Sequence, residues 1–262
     1  MNQSSKLFRY QLRNVSRAKA VIGYGVLLTL IAWSLVHFGG STSRAILSLG
    51  NVVLIVVPLV ALVFGTVHFY ESREFDELVL AHPVHRRQLY SGRYFGLIVP
   101  MSLAYAVAVL IPMGAAGIES ESLGAVFTLL VAGILLNAAF VAIAYLIATR
   151  ISDPMKGLGT ALATWLFFGV LYDGLVLLAA TGLSAYPLER PMLALMMLNP
   201  VDLARILLLM ELDVAALMGY TGAVFKSFFG GPAGPILSIG TLGLWILGPF
   251  WTGMRAFDRR DL

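Results

Sequence analysis

The chain has 262 residues, of which 59% are hydrophobic and only 12% charged, with a mean hydropathy of +0.86 and a formal net charge of +4. A soluble domain carries roughly 25% charged residues, so the apolar surface is suited to lipid, and a single membrane domain over 1–262 is the simplest account. The small positive surplus gives no case for a nucleic acid partner, and the lack of cysteine excludes disulfides and thiolate metal sites.

Residues 1–19 carry Lys6, Arg9, Arg13, Arg17 and Lys19. Leu7, Phe8, Leu12 and Val15 recur at helical spacing against the face of Arg9, Arg13 and Arg17. That pattern predicts an amphipathic helix in the membrane interface. The absence of a small-residue cleavage motif predicts that it is not a removed signal. Six apolar runs follow, at about 20–38, 45–69, 95–117, 123–148, 157–183 and 235–254. Each has on the order of 20 residues, enough to cross the hydrocarbon. Pro58 predicts a kink in the second.

The basic residues alternate between connectors. Arg73, Arg86, Arg87 and Arg93 lie between the second and third runs, Arg150 and Lys156 between the fourth and fifth, and Arg255, Arg259 and Arg260 after the sixth. The remaining connectors hold only Arg44, Arg190, Arg205 and Lys226. Basic segments stay cytoplasmic during insertion. The expectation is therefore an all-α integral membrane protein with six transmembrane helices and both ends inside, its basic residues meeting anionic membrane lipids.

The connector at 70–94 begins acidic, with Glu71, Glu74, Asp76 and Glu77, and turns basic after Pro83, with Arg86 and Arg87. Phe75, Leu78 and Val79 fall on one face of a short helix, an apolar knob ringed by charge. Two readings are open: a plug for a groove on another protein, or a solvated loop. Further on, 184–234 is long and apolar but interrupted by charge. Asn199-Pro200 is a helix start, since Asn caps and Pro suits the first turn. The helix is expected to run from Pro200 to about Met218 with Asp202, Arg205, Glu211 and Asp213, too charged to span and lying at the outer interface or re-entrant.

Asp173 is the one acid well inside a run, roughly 24 Å from its inner end at about 1.5 Å per residue. A charge at such depth is costly and is a functional candidate. Water or a kink at Gly174 is the expected means of hydrating it. The chain has no Gly-x-x-x-x-Gly-Lys-Ser/Thr run, so it lacks an ATPase phosphate cradle. No catalytic or metal site is expected in it.

The acidic turn followed by Leu80-Ala81-His82-Pro83-Val84-His85-Arg86 resembles the first cytoplasmic loop of ABC-2 type permeases, the six-span membrane subunits of a class of ATP-driven exporters. The basic N-terminal helix, the long segment before the last run and the ending Phe257-Asp258-Arg259-Arg260-Asp261-Leu262 also resemble that family. The resemblance covers the whole chain. It implies a homodimer with two cytoplasmic ABC ATPase subunits, which bind the ATP and Mg, and a coupling role for Glu71, Glu74, Phe75, Glu77, Leu78, Pro83, Arg86 and Arg87. Asn199-Pro200-Val201-Asp202-Leu203-Ala204-Arg205 is similar to the permeases that serve maturation of nitrous oxide reductase, a copper–sulfur enzyme. That implies contact of Asn199, Pro200, Asp202, Arg205, Glu211 and Asp213 with a periplasmic β-helix protein or with cargo. Export of a lipid, antibiotic or other amphiphile is the alternative. A different class of alternative is an ATP-independent scaffold or secondary transporter.

Overall fold

The computed structural model describes residues 19–39, 42–73, 85–117, 122–182, 194–212 and 233–259. The interfacial helix expected at 1–18 and the connector core at 74–84 lie outside the described residues. So does most of 184–234, including Asp213.

Among the described residues every regular element is helical. They are α1 (Lys19–Phe38), α2 (Thr42–Glu71), α3 (Arg86–Ala116), α4 (Leu123–Arg150) and α5 (Pro154–Leu166). A π-helical turn (Phe167–Leu171) leads into α6 (Tyr172–Gly182), and α7 (Pro200–Glu211) and α8 (Ala233–Asp258) follow. Among the described residues, six helices are long and apolar enough to cross a membrane: α1 to α4, the continuous α5–α6 rod and α8. Successive spans run in opposite directions. Arg73, Arg86, Arg87, Arg150, Lys156 and Arg255 therefore gather at one end of the bundle, here called the basic end, and α7 packs toward the other.

Helix starts follow local chemistry. Asp153 caps α5 by accepting the Lys156 backbone N–H at 3.0 Å, with Pro154 in the first turn. That hydrogen bond is the main reason the Asp153 carboxyl lies below the usual carboxylate range. The third helix begins at Arg86, well before its apolar run, because Leu89 and Tyr90 already bury one side of its polar first turns. α2 continues through Pro58 to Glu71.

α4 is the hub, packed along α2, α8, α3 and α7. In lipid there is no apolar surface to hide from water, so helices associate through close packing and polar contacts. The α2–α4 seam shows the first. A Cβ at Gly65 would lie 2.7 Å from the Ala144 Cβ, closer than two such atoms can approach. The second is supplied by aromatic hydroxyls aimed at backbone carbonyls. Tyr105 donates to the Leu129 carbonyl at 2.7 Å, its ring occupying the space left by Gly133. Tyr94 donates to the Ala138 carbonyl at 2.8 Å. A buried hydroxyl in the hydrocarbon needs such an acceptor.

Candidate functional site

Two places concentrate polar chemistry: the root of the connector at the basic end, and a charged cluster where α6 meets α7.

At the basic end, both attachments of the connector are fixed. Glu71 closes α2 and is exposed. Two residues later, Arg73 crosses to the α4–α5 turn. It donates to the Ser152 carbonyl at 2.6 Å and to the Ile151 carbonyl at 3.4 Å, its guanidinium 4.4 Å from the centre of the Tyr70 ring. Tyr70 donates to the same Ile151 carbonyl at 2.9 Å. Its ring lies against Gly157, where any side chain would collide with it. From α3, Arg93 reaches back, fully buried, and donates to the Ser72 carbonyl. On the returning side, Arg87 Nε donates to Asp258 Oδ2 at 3.0 Å, and Arg86 reaches the Asp258 backbone carbonyl at 3.5 Å. Beneath these contacts sits an aromatic knot. Phe69 and Tyr145 have ring centres 5.3 Å apart, Tyr90 and Tyr145 5.6 Å, and Tyr90 and Phe257 5.7 Å. The first two pairs are edge-to-face and the third is tilted; an edge-to-face pair at such spacing adds about 0.5–1.5 kcal/mol beyond packing.

Of the coupling residues expected from sequence, Glu71, Arg86 and Arg87 are thus placed on helix ends. Arg86 and Arg87 belong to the first turn of α3, not to a loop. Glu74, Phe75, Glu77, Leu78 and Pro83 lie outside the described residues. What the sequence did not reveal is the anchorage: Arg73, Arg93 and Asp258 tie α2, α3, α4 and α8 together at the point where the connector leaves and returns. Phe257 and Asp258 were legible only as part of a terminal motif.

At the α6–α7 junction, Asn199 carries α7. Its Oδ1 accepts the Val201 N–H at 2.9 Å, and its Nδ2 donates at 3.0 Å to the carbonyl of Phe168, inside the π-helical turn. A π turn displaces backbone carbonyls from their usual partners, and Asn199 satisfies one of them. Tyr172 donates to the Leu195 carbonyl, and Trp245 of α8 donates at 3.2 Å to that of Met197. Arg205 Nη1 then donates to Asp173 Oδ2 at 2.8 Å and to Asp202 Oδ1 at 2.9 Å. Burial of the Asp202 carboxyl raises its pKa, against the pull of Arg205.

The charged residues singled out in the sequence are placed as follows. Asp173 pairs with Arg205, and the irregularity in its span is the π turn at Phe167–Leu171. α7 lies on the bundle, with Leu203 and Leu207 packed on Leu242 of α8. Asn199, Pro200 and Asp202 are buried within the bundle. Glu211 is exposed and its carboxylate lies against Gly124 in the first turn of α4, where a helix dipole favours an anion. Arg205 and Asp173 keep 31% and 41% of their side chains open, so this part of the cluster alone faces outward.

Residues 42–262 match the family described as ABC-2 family transporter protein. The chain is 29% identical over 271 residues to "Probable ABC transporter permease protein NosY" of Pseudomonas aeruginosa, covering 94% of this chain and 92% of that one. It is 28% identical over 229 residues to the protein of the same name in Stutzerimonas stutzeri, covering 79% and 81%.

Proposed function

The chain belongs to the ABC-2 family of transporter permeases, and we propose that it transmits ATP-driven motion across the membrane for maturation of the copper–sulfur centre of nitrous oxide reductase. It is a multi-pass protein of the inner membrane. In this reading two copies form the membrane part, and two copies of a separate ATPase bind the ATP and Mg. The basic end faces the cytoplasm, as the charge bias favours.

One observation carries the coupling half of the reading. The segment 74–84 leaves and re-enters the bundle through residues clamped to four helices at once. In this reading a push that arrives at Ser72–Arg73 or at Arg86–Arg87 is delivered to α2, α3, α4 and α8 together. The relation to permeases named NosY, together with the Asn-Pro-x-Asp-x-x-Arg run at Asn199–Arg205, supports the choice of nitrous oxide reductase and of a periplasmic β-helix partner on the 184–234 segment.

The test is deletion of the gene for this chain in its own host, followed by purification of nitrous oxide reductase. The expected enzyme is made and exported but lacks its copper–sulfur absorption, and Phe75→Asp gives the same result with a normal permease level. A fully loaded enzyme in the deletion strain would contradict this role. Amphiphile export would then be the better reading, and one feature favours it. A groove of about 360 Å³ runs between α1 and α3, lined by Val21, Gly25, Thr29, Pro100, Ala104 and Val107, a shape suited to an acyl chain.

A further inference from the structure

Among the described residues, the charge count at the α6–α7 junction does not balance. Two carboxylates, Asp173 and Asp202, share one nitrogen of one guanidinium, that of Arg205. With both acids ionised the cluster carries a net negative charge on a bundle built for lipid, where an uncompensated charge is expensive. Among the described residues, the other polar groups that act on the Asp202 carboxyl or contact this joint are the Tyr172 hydroxyl, which donates to the Leu195 carbonyl, and the Asn199 amide. The helices packed on α7 bring apolar or small groups: Leu135 from α4, Leu242 and Trp245 from α8, and Gly50 of α2 against Leu208. Glu211 lies nine residues beyond Asp202, about 13 Å along α7 at about 1.5 Å per residue, beside Gly124. None of these supplies a second positive charge.

We infer that Asp173, Asp202 and Arg205 form a proton-binding site that joins α6 to α7, with one proton shared by the two carboxyl groups. Asp202 is the holder. It is 8% exposed, whereas Asp173 has an open side, so Asp173 is the better partner for the permanent charge of Arg205 and Asp202 is the cheaper group to neutralise. Burial first, and then the Asp173 charge, push the Asp202 carboxyl above the ordinary carboxylate range, against the pull of Arg205. A proton taken from water makes the cluster neutral and locks α7 onto the π-turn region. Its loss leaves two anions on one cation and loosens the joint. A folded-state value above the unfolded one means that the site stabilises the fold fully at acid pH and less as pH rises through the folded value.

The experiment uses the full-length permease in lipid nanodiscs, titrated from about pH 5 to about pH 9. Infrared difference spectra are recorded in parallel with thermal unfolding. In the wild type, one protonated-carboxyl band per chain disappears as pH rises, and the unfolding midpoint falls with it. In Asp202→Asn that band is missing at every pH, and the part of the midpoint drift that follows it is lost. Asp173→Asn is the second variant: it leaves a one-to-one pair of Arg205 and Asp202, so the band is again lost while the protein stays folded. A band that titrates identically in both variants and the wild type would overturn the assignment. So would a wild type with no protonated carboxyl at acid pH. If Asp202→Asn does not fold, Asp173→Asn alone decides the question by the same band.

Discussion

The α2–α4 seam and the α5–α6 rod are both membrane spans, yet they are held in opposite ways. Half of the α2 span and 61% of the α4 span are buried, against 11% for the rod. The seam is closed by small residues, with Gly65 against Ala144, and leaves no room for adjustment. The rod is held by a few directional contacts. Trp165 donates to the Ile55 carbonyl at 3.0 Å, Asn199 to that of Phe168, and Arg205 reaches Asp173. A dry, close-packed seam resists sliding because every displacement costs many contacts at once. A rod on a handful of polar pins, broken by a π turn, can shift by exchanging those pins. The difference identifies α2–α4 as the frame and the α5–α6 rod as the part free to respond.

The largest expected effect comes from attacking the frame. Gly65→Leu forces a branched side chain into a gap that does not admit a single extra carbon, and overpacking of this sort costs about 1–3 kcal/mol or more. The expected outcome is loss of the folded, monodisperse peak in detergent. Gly159→Leu on the rod, where nothing lies within 4 Å, should behave as wild type. Equal damage from both would erase the distinction. Next in size is Arg205→Ala, which leaves two acids without their cation. Because Arg205 and Asp173 are partly open, the cost falls below that of a fully buried pair, at about 2 kcal/mol. Adding Asp202→Asn should recover part of that loss in the thermal midpoint. Asn199→Ala removes a helix cap and the partner of the Phe168 carbonyl, for about 1–2 kcal/mol. Asn199→Ser should restore the cap without a new charge but not the bond to Phe168, giving an intermediate midpoint. The smallest effect belongs to Arg87→Ala. Its bond to Asp258 is a surface pair with Arg87 67% exposed, so stability should move by no more than about 0.5 kcal/mol, detected by chemical unfolding in nanodiscs.

The frame was far more legible in sequence than the pins. Runs of apolar residues announce spans by length alone, and α1, α2 and α4 start and stop within a few residues of their runs. The start of α3 at Arg86 was hidden because its first turns are polar outside and buried only at Leu89, Tyr90 and Arg93, which a hydropathy reading averages away. Asp173 and Arg205 each stood out as charges in apolar surroundings, but nothing in a single sequence pairs residues 32 positions apart on different helices. The π turn has no sequence mark at all in Phe167-Phe168-Gly169-Val170-Leu171. It becomes intelligible only with Asn199 beside it, an amide whose evident role as a helix cap concealed its second bond.

The division into frame and responsive rod is tested most directly by distances between labels on the assembled transporter, since a chain without cysteine accepts them freely. Ile55 on α2, Phe127 on α4 and Leu178 on α6 are all exposed. Each pair is replaced by cysteine, spin-labelled and measured by double electron–electron resonance, with the partner ATPase nucleotide-free and then trapped with ATP. The account predicts that the 55–127 distance is unchanged by ATP while the 127–178 distance shifts by several ångströms. A 127–178 distance that stays fixed, or a 55–127 distance that changes as much, would contradict it.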